Sequence, residues 1–411
     1  MNYFRDAVSK TFSYFVGIGR NSSLLIAGQA LLSFQMGVMA LVFPIYFAKT
    51  GLDGVQIGFL IAAAQLTGAV ASLPFGIYAD RKGRKKFVLL GSALSGASFI
   101  LYALVQDFAP LILISIVLGV ASGMGSSAFS AWLANSVSSE KRNAVFSLNA
   151  AVSSALFVVS SLLGILPSML RTGFGFGELD SYRPLIALPG FLAFVALVIF
   201  QLAEDKKVVQ NRRMVISNQS IQVLTKYGIV NSLVSLGAGL VIPLFSYWFF
   251  LRFGVEEDVL APLFGISNLM LLFSFLLAPR IADRFGAIRT IVATQMSSTA
   301  LLVLIPLSPD YTVVSVLYVF RALLMNMANP LITALILSVI NPDERATASS
   351  ISTITWSIPN SLTTPLGGYL MENVSLSAPF FLCGILYASA ITMFYYFFRK
   401  SVAGTKSDDL L

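Results

Sequence analysis

The stretch GIYADRKGRKK, Gly76 to Lys86, decides how this chain is read. It places six formal charges in a sequence that is 56% hydrophobic and only 11% charged. A second copy, PRIADRFGAIR from Pro279 to Arg289, follows at a constant offset. Asp283 lies 203 residues after Asp80, as do Arg284 after Arg81 and Gly286 after Gly83. Arg142 in SSEKRNAV and Arg345 in PDERATAS keep that offset, and so do Gly51 and Gly254, each closing an aromatic-rich segment. So many positions in one register imply a duplicated unit.

The chain between these charged loops is apolar. Mean hydropathy is +0.82, and the apolar runs exceed the ~20 residues needed to cross ~30 Å of hydrocarbon. They are continuous rather than alternating, which excludes lipid-facing strands of a barrel. The expected fold is an all-α membrane protein of about twelve transmembrane helices in two pseudo-symmetric six-helix bundles. The spans read as 24–48, 55–79, 87–106, 110–136, 144–166 and 184–202, then 226–251, 259–279, 288–307, 312–339, 346–371 and 377–398. This divides the chain into an arm (1–22), a first bundle (23–203), a polar linker (204–222), a second bundle (223–398) and a tail (399–411).

Basic residues set the orientation, because lysine and arginine in short loops stay on the cytoplasmic side. Of 27 such residues, 21 fall in the arm, the even-to-odd loops and the tail. The opposite loops hold only Lys49, Arg171, Arg183 and Arg252. Both termini are therefore expected in the cytoplasm, with the chain a multi-pass protein of the cell membrane. The net charge of +8 is then a topology signal and an attraction to anionic lipid headgroups, with no nucleic-acid partner implied. In the arm, Phe4, Val8, Phe12 and Phe15 recur at helical spacing beside Arg5 and Lys10, a pattern that suits either an interfacial helix or a frayed tail.

The first charged loop resembles the signature G-x-x-x-D-R-x-G-R-K of the major facilitator superfamily, at its usual place between helices 2 and 3. The weaker copy after the eighth span matches that family's paired halves, and Arg142 and Arg345 resemble its next loop position. The resemblance implies a monomeric secondary transporter that moves a small molecule by alternating access, with no cofactor. It also implies a conformational latch built from Gly76, Asp80, Arg81, Gly83 and Arg84 together with Asp283, Arg284, Gly286, Arg142 and Arg345. Asp80 would face the start of helix 11 near Arg345, and Asp283 the start of helix 5 near Arg142, since free N–H groups at a helix start favour an anion. Gly76 would permit close packing and Gly83 a tight turn. The plainer alternative is that the cations merely fix topology. Two departures are informative. Helix 4 carries Gly119, Gly123 and Gly125 where many proton-coupled members carry an arginine, and helix 5 lacks the glycine-proline signature of the family's drug antiporters.

Arg321 is the sharpest chemical signal, roughly 12 Å into span ten at ~1.5 Å rise per residue. No acid lies in any span interior, and an unpaired arginine at depth costs ~2.5–3.5 kcal/mol on insertion scales. Either a substrate anion compensates it, or backbone carbonyls and amides do and it is structural. The resemblance assigns helices 1, 4, 7 and 10 to a central cavity. Their substrate-binding candidates are Gln29 and Gln35; Ser130 and Trp132; Asn231 and Trp248; and Asn326 and Asn329, with Trp356 and Asn360 added from helix 11. Each amide is also suited to bonding a neighbouring helix.

Other classes have little to stand on. The chain has no histidine and one cysteine, Cys383, so neither a metal cluster nor a nucleophile with its base can be assembled. No G-x-x-x-x-G-K-[ST] phosphate loop occurs. An enzyme or receptor remains the remote alternative, and a proton-coupled multidrug antiporter the nearer one. With no histidine and no acid in a span interior, weak dependence on a proton gradient is expected, strict dependence pointing instead to Asp53, Asp310 and Glu372 near outer span ends.

Overall fold

The computed structural model describes residues 19–138, 141–205, 217–341 and 344–399. The arm up to residue 18, most of the linker and the tail lie outside them. Twelve long helices make up the described residues: α1 (Arg20–Lys49), α2 (Gly54–Lys82), α3 (Arg84–Leu104), α4 (Phe108–Asn135), α5 (Ala144–Phe174) and α6 (Glu178–Leu202), then α7 (Ser220–Phe253), α8 (Glu257–Phe285), α9 (Ala287–Leu307), α10 (Tyr311–Val339), α11 (Arg345–Asn373) and α12 (Ala378–Phe398). Eleven are long and apolar enough to cross a membrane. The exception is α11, which is rich in serine, threonine and asparagine and holds Pro359 and Pro365. Several helices carry local breaks, such as the π-turn Val38–Val42 in α1 and the 3₁₀ turn Ile242–Leu244 in α7.

The turns explain why the repeated glycines are glycine. Gly83 joins α2 to α3 at φ +99°, and Gly286 joins α8 to α9 at φ +86°. Gly51 and Gly254 end α1 and the last segment of α7 at φ +94° and +64°. All four lie where a Cβ is strained, so the 203-residue offset repeats backbone conformation as well as residue type. Gly76 differs from expectation. A Cβ there would meet only Ser127, at an ordinary 3.6 Å, so it is not a close-packing position. That role belongs to Gly123, whose Cβ would sit 2.2 Å from the Gly68 carbonyl oxygen.

Two compact units emerge, one from residues up to Tyr46 with Thr67 onward to α6, the other from Phe47–Leu66 with α7 to α12. Within the first, α1 packs on α5 and α6, and α3 on α4 and α6; within the second, α7 packs on α11 and α12, and α9 on α10 and α12. Equivalent helices thus pair alike in both. The first unit's core gathers Leu25, Val88, Phe129, Trp132, Val145 and Phe200. In the second, the polar residues of α11 bond to α7. Asn231 donates to the Ser352 carbonyl (3.0 Å) and Thr355 Oγ1 (2.9 Å), Asn360 to the Ser235 carbonyl (3.3 Å), and Thr363 to the Leu236 carbonyl (2.8 Å). Gly239 and Gly367 let the two backbones approach, since a Cβ on either would lie within 2.4 Å of the facing helix. The low hydropathy of α11 is the price of this hydrogen-bonded seam.

Candidate functional site

Helix α10 starts on an Asp310 cap whose carboxylate accepts the Val313 N–H at 2.9 Å. It then carries Arg321, Met325 and Asn329 at four-residue spacing, so one face presents all three. That face lines a cavity of about 340 Å³ in the second unit, closed on other sides by residues of α7, α9, α11 and α12. Among the described residues Arg321 is the only charged side chain in the lining. It is 6% exposed. One terminal nitrogen donates to Tyr387 Oη at 3.3 Å, and Nε is buried with no partner. Tyr318 and Cys383 also lie in its field, and among the described residues no carboxylate pairs with it. A buried cation on a cavity wall with unspent donors is suited to receive an anion.

Of the residues expected from sequence, Arg321, Asn326, Asn329, Asn231 and Trp356 come together here. Asn326 and Asn329 are coupled, Asn329 Nδ2 donating to Asn326 Oδ1 at 3.1 Å, while Asn326 Nδ2 donates back to the Ala322 carbonyl. Asn231 spends its donors on α11, and Trp356 stands 42% exposed. Others serve packing. Trp132 lies in the first unit's core, its indole N–H donating to the Glu204 carbonyl at 3.0 Å. Trp248 sits in an aromatic cluster with Phe245, Phe249 and Phe380 and donates to the Leu376 carbonyl at 2.9 Å. Asn360 is buried in the α7–α11 seam. In the first unit, Gln35 accepts from Ser95 Oγ (2.9 Å), Ser130 donates to the Ser126 carbonyl (3.0 Å), and the Gln29 carbonyl accepts from Ser33 (2.9 Å). Sequence reasoning missed Gln295 and Tyr387, which line the cavity from α9 and α12. The glutamine was visible as an amide inside an apolar run; the tyrosine carried no comparable signal.

The charged loop has its own geometry. Asp80 Oδ1 accepts from Arg84 Nε (2.9 Å) and NH2 (2.6 Å), and Arg84 NH1 donates to the Ala131 carbonyl at the end of α4 (3.1 Å). The Lys85 backbone N–H donates to Asp205 (3.1 Å), and its ammonium to the Gln201 and Ala203 carbonyls (2.7 Å each). The second copy has Ala287 where Arg84 stands, and among the described residues Asp283 forms no ion pair. Arg284 lies over the Phe285 ring instead, at 5.3 Å. Arg142 donates to the Ala134 carbonyl (3.1 Å); the Arg345 side chain lies outside the described residues. The acids near span ends are engaged as well. Asp53 accepts the Gln56 N–H (2.7 Å), and Glu372 accepts the Gly54 N–H (2.8 Å) and the Tyr247 hydroxyl. Glu256 pairs with Lys49. The sequence reading overlooked Glu257, fully buried in the first turn of α8.

Comparison with known proteins agrees with this architecture. The family model of the Major Facilitator Superfamily matches residues 25–221 and 227–409. The quinolone resistance protein NorA of Staphylococcus aureus (strain MRSA252) is 22% identical over 362 residues, 86% of this chain and 90% of that one. An uncharacterized membrane protein of Saccharomyces cerevisiae is 23% identical over 349 residues, covering 75% and 78%. Among solved structures, a D-xylose-proton symporter superposes with a TM-score of 0.74 at 15% identity, covering 92% of this chain and 97% of its own. The nucleoside transporter NupG gives 0.71 at 12% identity (95% and 100%), and the human organic anion transporter MFSD10 gives 0.65 at 15% (92% and 99%). At such identities the structural likenesses establish the fold, and their differing cargoes leave the substrate to this chain's own residues. With both halves matched by one family model and the duplicated loop in place, the chain belongs to the major facilitator superfamily, a family of multi-pass membrane transporters.

Proposed function

We propose that this chain is a secondary transporter that carries a small organic anion across the cell membrane by alternating access, with Arg321 as the anchor for the anionic group. The observation that supports this is the burial of Arg321 on a cavity wall with no carboxylate partner and an unused Nε donor. Amides of Gln295, Asn326 and Asn329 around it supply neutral polar contacts. Among the described residues no acid lines the cavity, which favours facilitated diffusion or anion exchange over proton symport. The Asp80 loop is proposed to set the conformational equilibrium, and the basic loops to hold both termini in the cytoplasm. Flux of labelled organic acids, neutral solutes and organic cations into proteoliposomes tests the reading. Anions should be carried and Arg321→Ala should abolish their transport; transport of neutral or cationic solutes at the parent rate by folded Arg321→Ala would overturn it.

A second reading, a proton-coupled multidrug exporter, is favoured by the likeness to NorA and by Met325, Trp356 and Phe394 in the cavity wall. Strict dependence of dye efflux on a proton gradient would support it at the expense of the first.

A further inference from the structure

Resting on the anion reading above, we infer that the Arg321 cavity takes a singly charged organic acid with an apolar, ring-sized body, a monocarboxylate rather than a dicarboxylate or a phosphate ester. Charge decides the first part. Among the described residues the lining holds one cation and no acid, so one negative charge is matched and a second would be buried against neutral amides. A buried charge without a counter-ion is disfavoured far more than a buried neutral group. A phosphate monoester carries about −1.5 to −2 charges at pH 7, which puts it on the wrong side of that count.

Shape and polarity decide the second part. Polar side chains of the lining are partly engaged elsewhere, Asn231 with α11 and Thr333 with the Asn329 carbonyl, whereas Val230, Val234, Ile242, Ile332 and Phe394 are aliphatic or aromatic wall. Trp356 lines the same cavity while 42% exposed, leaving indole surface on which a ring or chain can lie. Asn326 and Asn329 satisfy each other in part, so they present less hydrogen-bonding capacity to a polyhydroxylated solute than their number suggests. The volume of about 340 Å³ is ample for an acid with a six-membered ring or a short alkyl chain, such as benzoate or hexanoate.

The test is equilibrium binding to the purified full chain in nanodiscs, by calorimetry with thermal shift alongside, at pH 7.5. The probes are acetate, butyrate, hexanoate, benzoate, benzamide, phthalate and benzyl phosphate. Benzoate should bind roughly 10- to 100-fold tighter than benzamide, the span covered by a hydrogen bond to a charged group. It should also bind at least tenfold tighter than phthalate or benzyl phosphate. Lengthening acetate to hexanoate should tighten binding by ~2- to 4-fold per methylene. Trp356→Ala should weaken benzoate more than acetate, and Arg321→Lys should retain part of the benzoate affinity. Phthalate or benzyl phosphate binding as tightly as benzoate overturns the single-charge inference while sparing the anion site. A flat chain-length series, or no monocarboxylate binding at millimolar concentration, overturns the inference as a whole. Benzamide matching benzoate overturns the anion reading beneath it.

Discussion

Replacing Arg321 by methionine should make the empty protein more stable while removing its ligand response, a combination that a structural arginine cannot produce. In the folded chain the guanidinium is 6% exposed with Nε unpartnered, and an unsatisfied buried donor costs ~1–3 kcal/mol. Against this stands one hydrogen bond to Tyr387 at 3.3 Å, beyond the usual ~2.7–3.2 Å and therefore weaker than the ~1.5–3 kcal/mol of a well-formed bond to a charged group, about 0.5–1.5 kcal/mol. Tyr387 keeps Cys383 as a partner after the substitution, and methionine preserves most of the apolar stem volume. The net expectation is a gain of ~0.5–1.5 kcal/mol, or ~1–5 °C in apparent melting temperature for a unit of about 200 residues. Intrinsic tryptophan fluorescence during heating would read it. With a bound monocarboxylate at 100-fold its dissociation constant, the parent should gain ~2.7 kcal/mol and the variant nothing. A variant that melts several degrees below the parent and still transports at the parent rate per folded molecule would refute the reasoning and make Arg321 structural.

Further outcomes follow from single positions. Gly123→Ala should cost ~1–3 kcal/mol by forcing α2 and α4 apart at the Gly68 carbonyl, whereas Gly76→Ala should be near neutral by the same melting assay; equal effects would refute the packing account. Glu344 accepts from the Ser217 N–H (2.7 Å) and hydroxyl (3.1 Å) at the start of α7. Hydrogen bonds, that from Ser220 foremost, hold its carboxyl below the ordinary value of 4.5. Its contribution is therefore complete above about pH 4.5 and is lost as pH falls through the depressed value; Glu344→Gln should flatten the acid limb of melting temperature against pH, and an unchanged limb would count against it. Asp80→Asn should leave expression intact but weaken the fork by which Arg84 Nε and NH2 both donate to Asp80 Oδ1; unchanged conformational populations by cysteine accessibility would remove the loop from the proposed switch. A protonophore should reduce flux of the preferred anion only weakly, and complete loss would redirect attention to Glu257 and Glu372.

The sequence by itself determined the fold class, the duplication and the turn glycines. Apolar run length is a local property fixed by bilayer thickness, and Gly83 and Gly286 report a backbone conformation that needs no neighbour to explain it. It also marked Arg321, because a cation in hydrocarbon is conspicuous wherever it points. What it could not separate was an amide that faces a cavity from one that bonds another helix. Asn326 and Asn360 look alike in sequence, yet one lines the cavity and the other is buried against the Ser235 carbonyl. Trp132 and Trp248 seemed suited to a binding site and proved to be core, and Gln295 and Tyr387 joined the cavity from helices outside the set searched. Which face of a helix turns inward, and onto what, depends on partners distant in the chain, 66 residues away for Arg321 and Tyr387 and 125 for Asn360 and Ser235. That information arises only when α7, α9, α10, α11 and α12 pack together.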